Sequence, residues 1–274
     1  KGEGEHPFVT LVNSFHGRTL TTVTATGQDT FHKFFGPFTP GFRYVPASDL
    51  AALERQLDAE DCSAVLVEIV QGEGGVRALD ADYLKAVEAL CHEKNVLFCV
   101  DEVQTGNGRT GTWFAYEQFG LSPDLVSTAK GLGNGLPIGA TPMGSKTTEV
   151  LTPGTHGSTF GGNPIACAGA LSVLEQIDDA FLEAVKQKGA WLTAELEKIP
   201  GVKDVSGLGL MLGFSVEGCK SADIKAKALD NGLVVLTAKD RVRLLPPLAI
   251  TEEELSDGLL RLAAAIREVQ EAAH

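Results

Sequence analysis

The sequence predicts an α/β protein, with a mostly parallel sheet flanked by helices in a large domain and a small α/β domain at the C-terminus. Three observations carry this reading. Short apolar, β-branched runs end in polar or glycine-rich stretches, and segments with helical spacing lie between them. From about Ile177 the texture changes to a long amphipathic helix followed by short strands. Apolar strands alternating with helices are the pattern of a parallel sheet covered on both faces.

The runs at 7–15, 63–70, 96–100 and 125–129 read as strands buried in such a sheet. Tyr83, Leu84, Val87 and Leu90 keep one apolar face of a helix, and Asp80 is placed to cap it. Leu182, Val185, Leu192, Leu196 and Ile199 mark the long helix, which stops at Pro200-Gly201. Residues 208–216 then read as a strand, 221–231 as a helix closed by Gly232, and 233–236 and 242–245 as short strands. Thr251 with Glu254 forms a capping box. It opens a last helix with Leu255, Leu259, Leu262, Ile266 and Val269 on one face. The expected division is a large domain over 1–178 and a small one over 179–274.

Composition is that of a globular chain: of 274 residues, 43% are hydrophobic and 22% charged, enough to bury a core without disulfides. The five cysteines (Cys62, Cys91, Cys99, Cys167 and Cys219) are scattered and show no C-x-x-C spacing, which points to a reducing, cytoplasmic compartment. A formal net charge of −13 repels phosphate backbones and anionic membranes, so nucleic acid is not expected as a partner. No apolar stretch approaches the ~18 residues of a membrane span. The Lys-Gly-Glu-Gly-Glu start has neither the basic nor the apolar region of a signal peptide.

Three of the expected strands run into chargeable residues. The first carries Glu68 and leads to Glu73, the second ends in Asp101-Glu102-Val103-Gln104, and the third ends in Lys130. Ligands of open parallel sheets bind outside the carboxyl ends of the strands, so these groups should face one crevice. A lysine desolvated there gives up its proton more readily and becomes an amine nucleophile toward an aldehyde. The bland reading of Lys130 is a side chain that snorkels to solvent. Asp101 reads either as a cap or salt-bridge partner, or as a carboxylate that keeps a pyridine nitrogen protonated.

Two look-alikes fail on context. Gly106-Asn107-Gly108-Arg109-Thr110-Gly111 matches G-x-G-x-x-G, but Asp124, the acid that should read a ribose, precedes the next strand instead of ending it. The stretch 139–147 carries an extra Ser145 that spoils the spacing of a Walker A loop, and it follows the Asp-Glu strand. The six histidines show no metal-ligand spacing, and no metal site is expected.

Six motifs in order then match a known family. They are Ser14-Phe15-His16-Gly17-Arg18-Thr19, Val70-Gln71-Gly72-Glu73-Gly74-Gly75-Val76, and Asp101-Glu102-Val103-Gln104-Thr105-Gly106. Ala129-Lys130-Gly131-Leu132-Gly133, Gly157-Ser158-Thr159-Phe160-Gly161-Gly162-Asn163-Pro164 and Arg243-Leu244-Leu245-Pro246-Pro247-Leu248 follow. Together they resemble the class III pyridoxal-phosphate aminotransferases over essentially the whole chain, above all those acting on N-acetylornithine. The ornithine, succinylornithine and 4-aminobutyrate types are the alternatives within the family. From another class, a dimer-forming relative that has lost the cofactor is the alternative.

The resemblance implies the fold-type-I architecture of pyridoxal-phosphate enzymes and the following roles. Lys130 would form the Schiff base with pyridoxal phosphate and shuttle the proton, and Asp101 would bond the pyridine nitrogen. Phe15 and Val103 would sandwich the ring, and Gln104 would reach its phenolic oxygen, with His16, Glu68 and Ser158 also near the cofactor. Thr159 would contact the phosphate of a partner subunit's cofactor, which makes a homodimer the expected unit. Amino acids and 2-oxo acids would be the small-molecule partners. Arg18 would clamp the donor's distal carboxylate. Arg243 would be masked by Glu73 with the basic donor bound, then freed for the α-carboxylate of glutamate or 2-oxoglutarate. A structural salt bridge is the bland reading of each arginine. For Arg243, in an apolar stretch, it would leave a near-buried charge with no job.

Two residues depart from the family pattern: Ile69 where proline is usual, and Asn134 where glycine is common. The family's N-terminal segment, whose Gly/Ser-rich turn and helix N-terminus cradle the cofactor phosphate, would precede Lys1. The numbered residues are therefore expected to be part of a longer protein. An intact mass equal to the calculated 28.9 kDa would count against that, and the short form alone would bind cofactor weakly.

Overall fold

A computed structural model describes residues 6–272. The chain divides into two compact units, the first made of Lys1–Ile69, Leu79–Asn107 and Phe114–Ile177, the second of Val70–Ala78, Gly108–Trp113 and Asp178–His274. Two short excursions, at 70–78 and 108–113, thus belong with the C-terminal part of the chain although both lie far ahead of it in sequence.

The first unit is built on strands β1 (Phe8–Leu11), β2 (Phe42–Val45) and β3 (Ala64–Val67). After a short antiparallel pair of the second unit, β4 (Val70–Gln71) with β5 (Arg77–Ala78), the sheet continues with β6 (Leu97–Asp101) and β7 (Leu125–Ser127). The sheet order is β2-β1-β3-β6-β7, and every pairing among these five is parallel. Val9, Leu11, Val65, Val67, Phe98 and Val100 are buried, as strands covered on both faces require. Residues 140–144 return antiparallel along β7, with Thr128 and Ala140 exchanging two backbone bonds of 2.9 Å.

Helices of this unit are α1 (Leu20–Ala25), α2 (Asp29–His32), α3 (Leu50–Ala59), α4 (Ala81–Glu93) and α5 (Pro164–Gln176). In α4 the expected apolar face, Tyr83, Leu84, Val87 and Leu90, is buried. The Asp80 carboxylate caps the helix by accepting from the amides of Asp82 and Tyr83 at 2.9 and 3.0 Å.

Three of the expected strands are shorter than read, each because its terminal polar groups bond elsewhere. The 63–70 run breaks after Val67: the Ile69 carbonyl accepts from Leu79 N, and Glu68 turns its side chain to the Phe15 amide. The 125–129 run leaves the parallel ladder after Ser127, because Thr128 pairs with Ala140 and the Ala129 carbonyl accepts from the Asn107 side chain. The 7–15 run stops at Leu11, where Asn13 adopts φ +71° and turns the chain.

The second unit holds a four-stranded antiparallel sheet, β10-β11-β9-β8, of β8 (Val202–Leu208), β9 (Met211–Val216), β10 (Leu236–Ala238) and β11 (Arg241–Leu244). Helices α6 (Asp179–Leu196), α7 (Ser221–Asp230) and α8 (Glu252–Ala272) accompany it. The single strand expected over 208–216 is the second half of a hairpin. The chain reverses at Gly209, whose φ of +54° favours glycine, and β8 precedes it. The strand expected at 233–236 starts only at Leu236, because the Leu233 amide closes the end of α7 on the Ala228 carbonyl. The capping box is present: Glu254 N donates to Thr251 Oγ1 at 3.1 Å and Thr251 N to Glu254 Oε2 at 2.9 Å. Leu262 and Ile266 of α8 pack with Leu192, Phe214, Ile224 and Val242 in one core, each burial contributing about 1.5–3 kcal/mol. Among the described residues no helix is long and apolar enough to cross a membrane.

Candidate functional site

Four neighbouring strands, β1, β3, β6 and β7, deliver polar groups from their carboxyl ends, the edge where parallel sheets bind ligands. After β1 the chain places Ser14, Phe15 and His16. After β3 comes Glu68, at the end of β6 is Asp101, and three residues beyond β7 is Lys130.

Asp101 is the centre of this arrangement. It lies opposite Ser127 in the β6–β7 register, and Ser127 Oγ donates to its Oδ1 at 3.1 Å. The Val103 amide donates to the same oxygen at 3.0 Å, and His16 Nδ1 lies 2.8 Å from Oδ2. The residue is 8% exposed. Burial alone would raise its pKa, but the hydrogen bond and charge of His16, the Val103 amide and the Ser127 hydroxyl outweigh it, and the carboxyl sits below its ordinary value. A carboxylate has about four lone-pair positions, and the three donors leave one acceptor position for a further cationic N–H.

The surroundings hold this carboxylate's partners in place. The His16 amide donates to Thr26 Oγ1 at 3.0 Å, and the Phe15 amide donates to Glu68 Oε2 at 2.9 Å. Glu68 is buried, and this bond ties it to the backbone that presents the Phe15 ring. Val103 and Gln104 follow Asp101 in a half-buried turn. Lys130, expected from sequence to be desolvated, is instead exposed; it has φ +45°, a left-handed conformation uncommon for a residue with a Cβ. Such strain persists where surrounding bonds over-determine the backbone and clusters at functional sites. Here Asn107 Nδ2 donates both to Thr128 Oγ1 at 2.9 Å and to the Ala129 carbonyl at 3.2 Å. The second residue of the G-x-G-x-x-G look-alike thus braces the lysine turn.

Arg18 is exposed and stacks its guanidinium over the Phe31 ring at 4.5 Å and the Phe15 ring at 5.4 Å. Ser158 and Thr159 lie on an exposed stretch ahead of α5, where Ser158 lines an open hollow of about 1030 Å³ with Ile138, Ala140 and Asn163. In the second unit Arg243 is 8% exposed, and its Nη1 lies 2.6 Å from Glu73 Oε1. The near-buried charge expected from sequence therefore has a counter-ion.

The sequence did not mark Ser127, Asn107 or Phe31 as site residues, and it placed in the crevice beside Asp101 a residue that the fold turns inward, Glu102. The last is fully buried next to Asp101. Its carboxylate accepts from Thr105 Oγ1 and from Tyr116 N, the latter at 2.9 Å, and burial pushes its pKa up to about 7. Its place after Asp101 on an apolar strand was a signal; its inward direction was not legible without the turn. Among the described residues no group of three or more histidines, cysteines or acids could hold a metal ion.

The donor set suits a pyridinium aldehyde better than a metal or a nucleotide. A buried, ionised carboxylate with a spare acceptor position fits a protonated ring nitrogen, an amine follows the neighbouring strand, and an aromatic and an aliphatic side chain flank the same edge. The aminotransferase class-III family model matches residues 1–266. The acetylornithine aminotransferase of Haemophilus ducreyi is 49% identical over 269 residues, covering 98% of this chain and 68% of that protein. That of Bacillus subtilis is 46% identical over 271 residues, covering 97% and 70%. Among solved structures, an ornithine aminotransferase from Toxoplasma gondii with partial occupancy of PLP at its active site superposes with a TM-score of 0.90 at 36% identity, covering 100% of this chain and 67% of that one. The N-acetylornithine aminotransferase of Stenotrophomonas maltophilia gives 0.83 at 35%, covering 98% and 67%. The parallel sheet and its helices are therefore the fold of these enzymes, and the chain belongs to the class III aminotransferases.

Proposed function

We propose that the protein moves the terminal amino group of N-acetylornithine to 2-oxoglutarate, in a ping-pong cycle with pyridoxal 5'-phosphate. The cofactor supplies an aldehyde and an electron-accepting ring. Lys130 would hold that aldehyde through its amine, and the same amine would carry the proton during turnover. Asp101, kept ionised by His16, Ser127 and the Val103 amide, would keep the ring nitrogen protonated. Phe15 and Val103 would flank the ring, and Gln104 would reach its phenolic oxygen. Arg18 binds the donor's carboxylate, and the Phe31 stack pre-orients its fork. Glu73 neutralises Arg243 until a dicarboxylate displaces it.

The observation that carries this reading is the buried Asp101 carboxylate, held below its ordinary pKa at the end of β6, in a chain whose curated relatives are acetylornithine aminotransferases. Separate half-reactions with N-acetylornithine, succinylornithine, ornithine and 4-aminobutyrate test it. N-acetylornithine should show the highest kcat/KM; a clear preference for another donor would reassign the substrate while leaving the chemistry.

A homodimer is the proposed unit, with Ser158 and Thr159 near a partner subunit's cofactor phosphate. Exposed Phe160 and, on α5, Ile165 and Leu171 support it, being apolar side chains that a second copy would cover. Light scattering giving a monomer at micromolar concentration would count against it. Five cysteines without disulfides support a cytoplasmic location.

A further inference from the structure

Arg241 is the largest fully buried side chain of the molecule, at 0% exposure, and it makes no ion pair among the described residues. Taking a cation out of water costs several kcal/mol unless hydrogen bonds replace the water. Here four do, all to neutral acceptors. Nη1 donates to the Gly75 carbonyl at 2.9 Å and to Ser206 Oγ at 2.8 Å, and Nη2 to the Gly213 carbonyl at 2.6 Å and to the Asp204 carbonyl. Only the planar five-donor fork of arginine can reach four such acceptors at once. Three segments of the second unit are joined this way: β8, β9 and the loop between β4 and β5.

That loop carries Glu73. Arg241 and Arg243 are two apart on β11 and so share one face of the sheet. Arg241 grips the loop by its backbone at Gly75, and Arg243 grips it by the Glu73 side chain at 2.6 Å. Two further contacts seat the loop. Ser206 Oγ donates to the Val76 carbonyl at 2.6 Å, and Gly213 leaves room where a Cβ would come within 2.7 Å of Val76. One grip is to a carbonyl and has no competitor. The other is to the half-exposed carboxylate of Glu73.

We propose that Arg241 is a positioning residue for the Glu73–Arg243 pair: it holds the loop backbone still, so that only the Glu73 side chain moves when Arg243 exchanges Glu73 for a substrate carboxylate. The inference rests on the proposed role of Arg243 in binding dicarboxylates. If it holds, loosening the loop weakens Glu73 as a competitor and acts in the same direction as neutralising Glu73.

The test measures binding of glutarate, an unreactive dicarboxylate, by calorimetry, with the donor and glutamate half-reactions alongside. Glu73→Gln should tighten glutarate binding. Arg241→Lys, which keeps the charge and loses the fork, should tighten it by roughly threefold to tenfold, the equivalent of one hydrogen bond. It should also raise KM for the donor while leaving kcat with glutamate unchanged. Ser206→Ala, which removes one acceptor of Arg241 and one donor to the loop, should do the same more weakly and serves if Arg241→Lys fails to fold. Unchanged glutarate binding in a folded variant, or an equal loss in both half-reactions, overturns the proposal. Arg243→Lys is the control on the underlying reading: if it spares glutarate binding, the assignment of Arg243 fails first.

Discussion

The two units each hold a buried charge, and they hold it differently. Asp101 is fixed by three donors from its own turn, the adjacent strand and the stretch after β1. Arg243 has one short bond to a long, half-exposed side chain, and its Nε is buried without a hydrogen-bond partner. A charge that must keep one state throughout a reaction is served by short side chains and backbone amides, which lose little entropy and have no competitor. A charge proposed to change partners is served by a counter-ion whose departure costs one bond. The difference lies in what surrounds each charge, since both are buried to the same degree, 8% exposed.

Substitutions sharpen this contrast, beginning with the largest effect. Lys130→Ala should reduce both half-reactions by about 10^4-fold or more, since amine and proton carrier go together. Asp101→Asn should cost both half-reactions about 10^2- to 10^4-fold, because no neighbour can supply the fixed negative charge; equal activity would dissolve the contrast between fixed and exchangeable charges. Arg243→Lys should instead strike one side only, with kcat/KM for glutamate falling about 10^2-fold and the donor half-reaction nearly spared. Stopped-flow single turnovers separate the two.

The pH dependence distinguishes the two acids at the end of β6. Asp101 has its pKa lowered, so its contribution to stability is complete above the unfolded value and is lost only as pH falls through the lower folded value. It adds no limb to stability between about pH 5 and pH 9. Glu102 is the reverse. Burial raises it from 4.5 to about 7, so across that window the folded state keeps a proton the unfolded state has released. Stability should therefore fall as pH rises from about 4.5 to 7, by at most about 3 kcal/mol, and Glu102→Gln should flatten the slope in thermal melts. The smallest expected effect is Thr251→Ala, about 1 kcal/mol from loss of the α8 cap, with both half-reactions unchanged.

Sequence alone made the parallel sheet legible because apolar period and turn residues agree, and it placed Asp101 and Lys130 at strand ends. It misjudged where strands stop, since that depends on distant partners: Glu68 leaves the sheet for the Phe15 amide, 53 residues away in sequence, and Thr128 for Ala140. The hairpin before Leu210 was missed because β8 is polar and half-exposed, with no apolar period to announce it. Within the site, chargeable residues after apolar strands were visible. Ser127, Asn107 and Phe31 were not, because each acts through a neighbour brought close only by the fold. Arg241 was hidden most completely, as nothing in Asp240-Arg241-Val242 distinguishes a solvated arginine from the most deeply buried one in the chain.

Whether Lys130 and Asp101 serve one pyridine ring can be decided chemically. The most direct measurement adds pyridoxal phosphate, reduces with borohydride and maps the labelled peptide in the wild-type protein and in Asp101→Asn. A single label on Lys130 is expected in both, with weaker cofactor retention in Asp101→Asn. Label on any other lysine, or retention indifferent to Asp101, would contradict it.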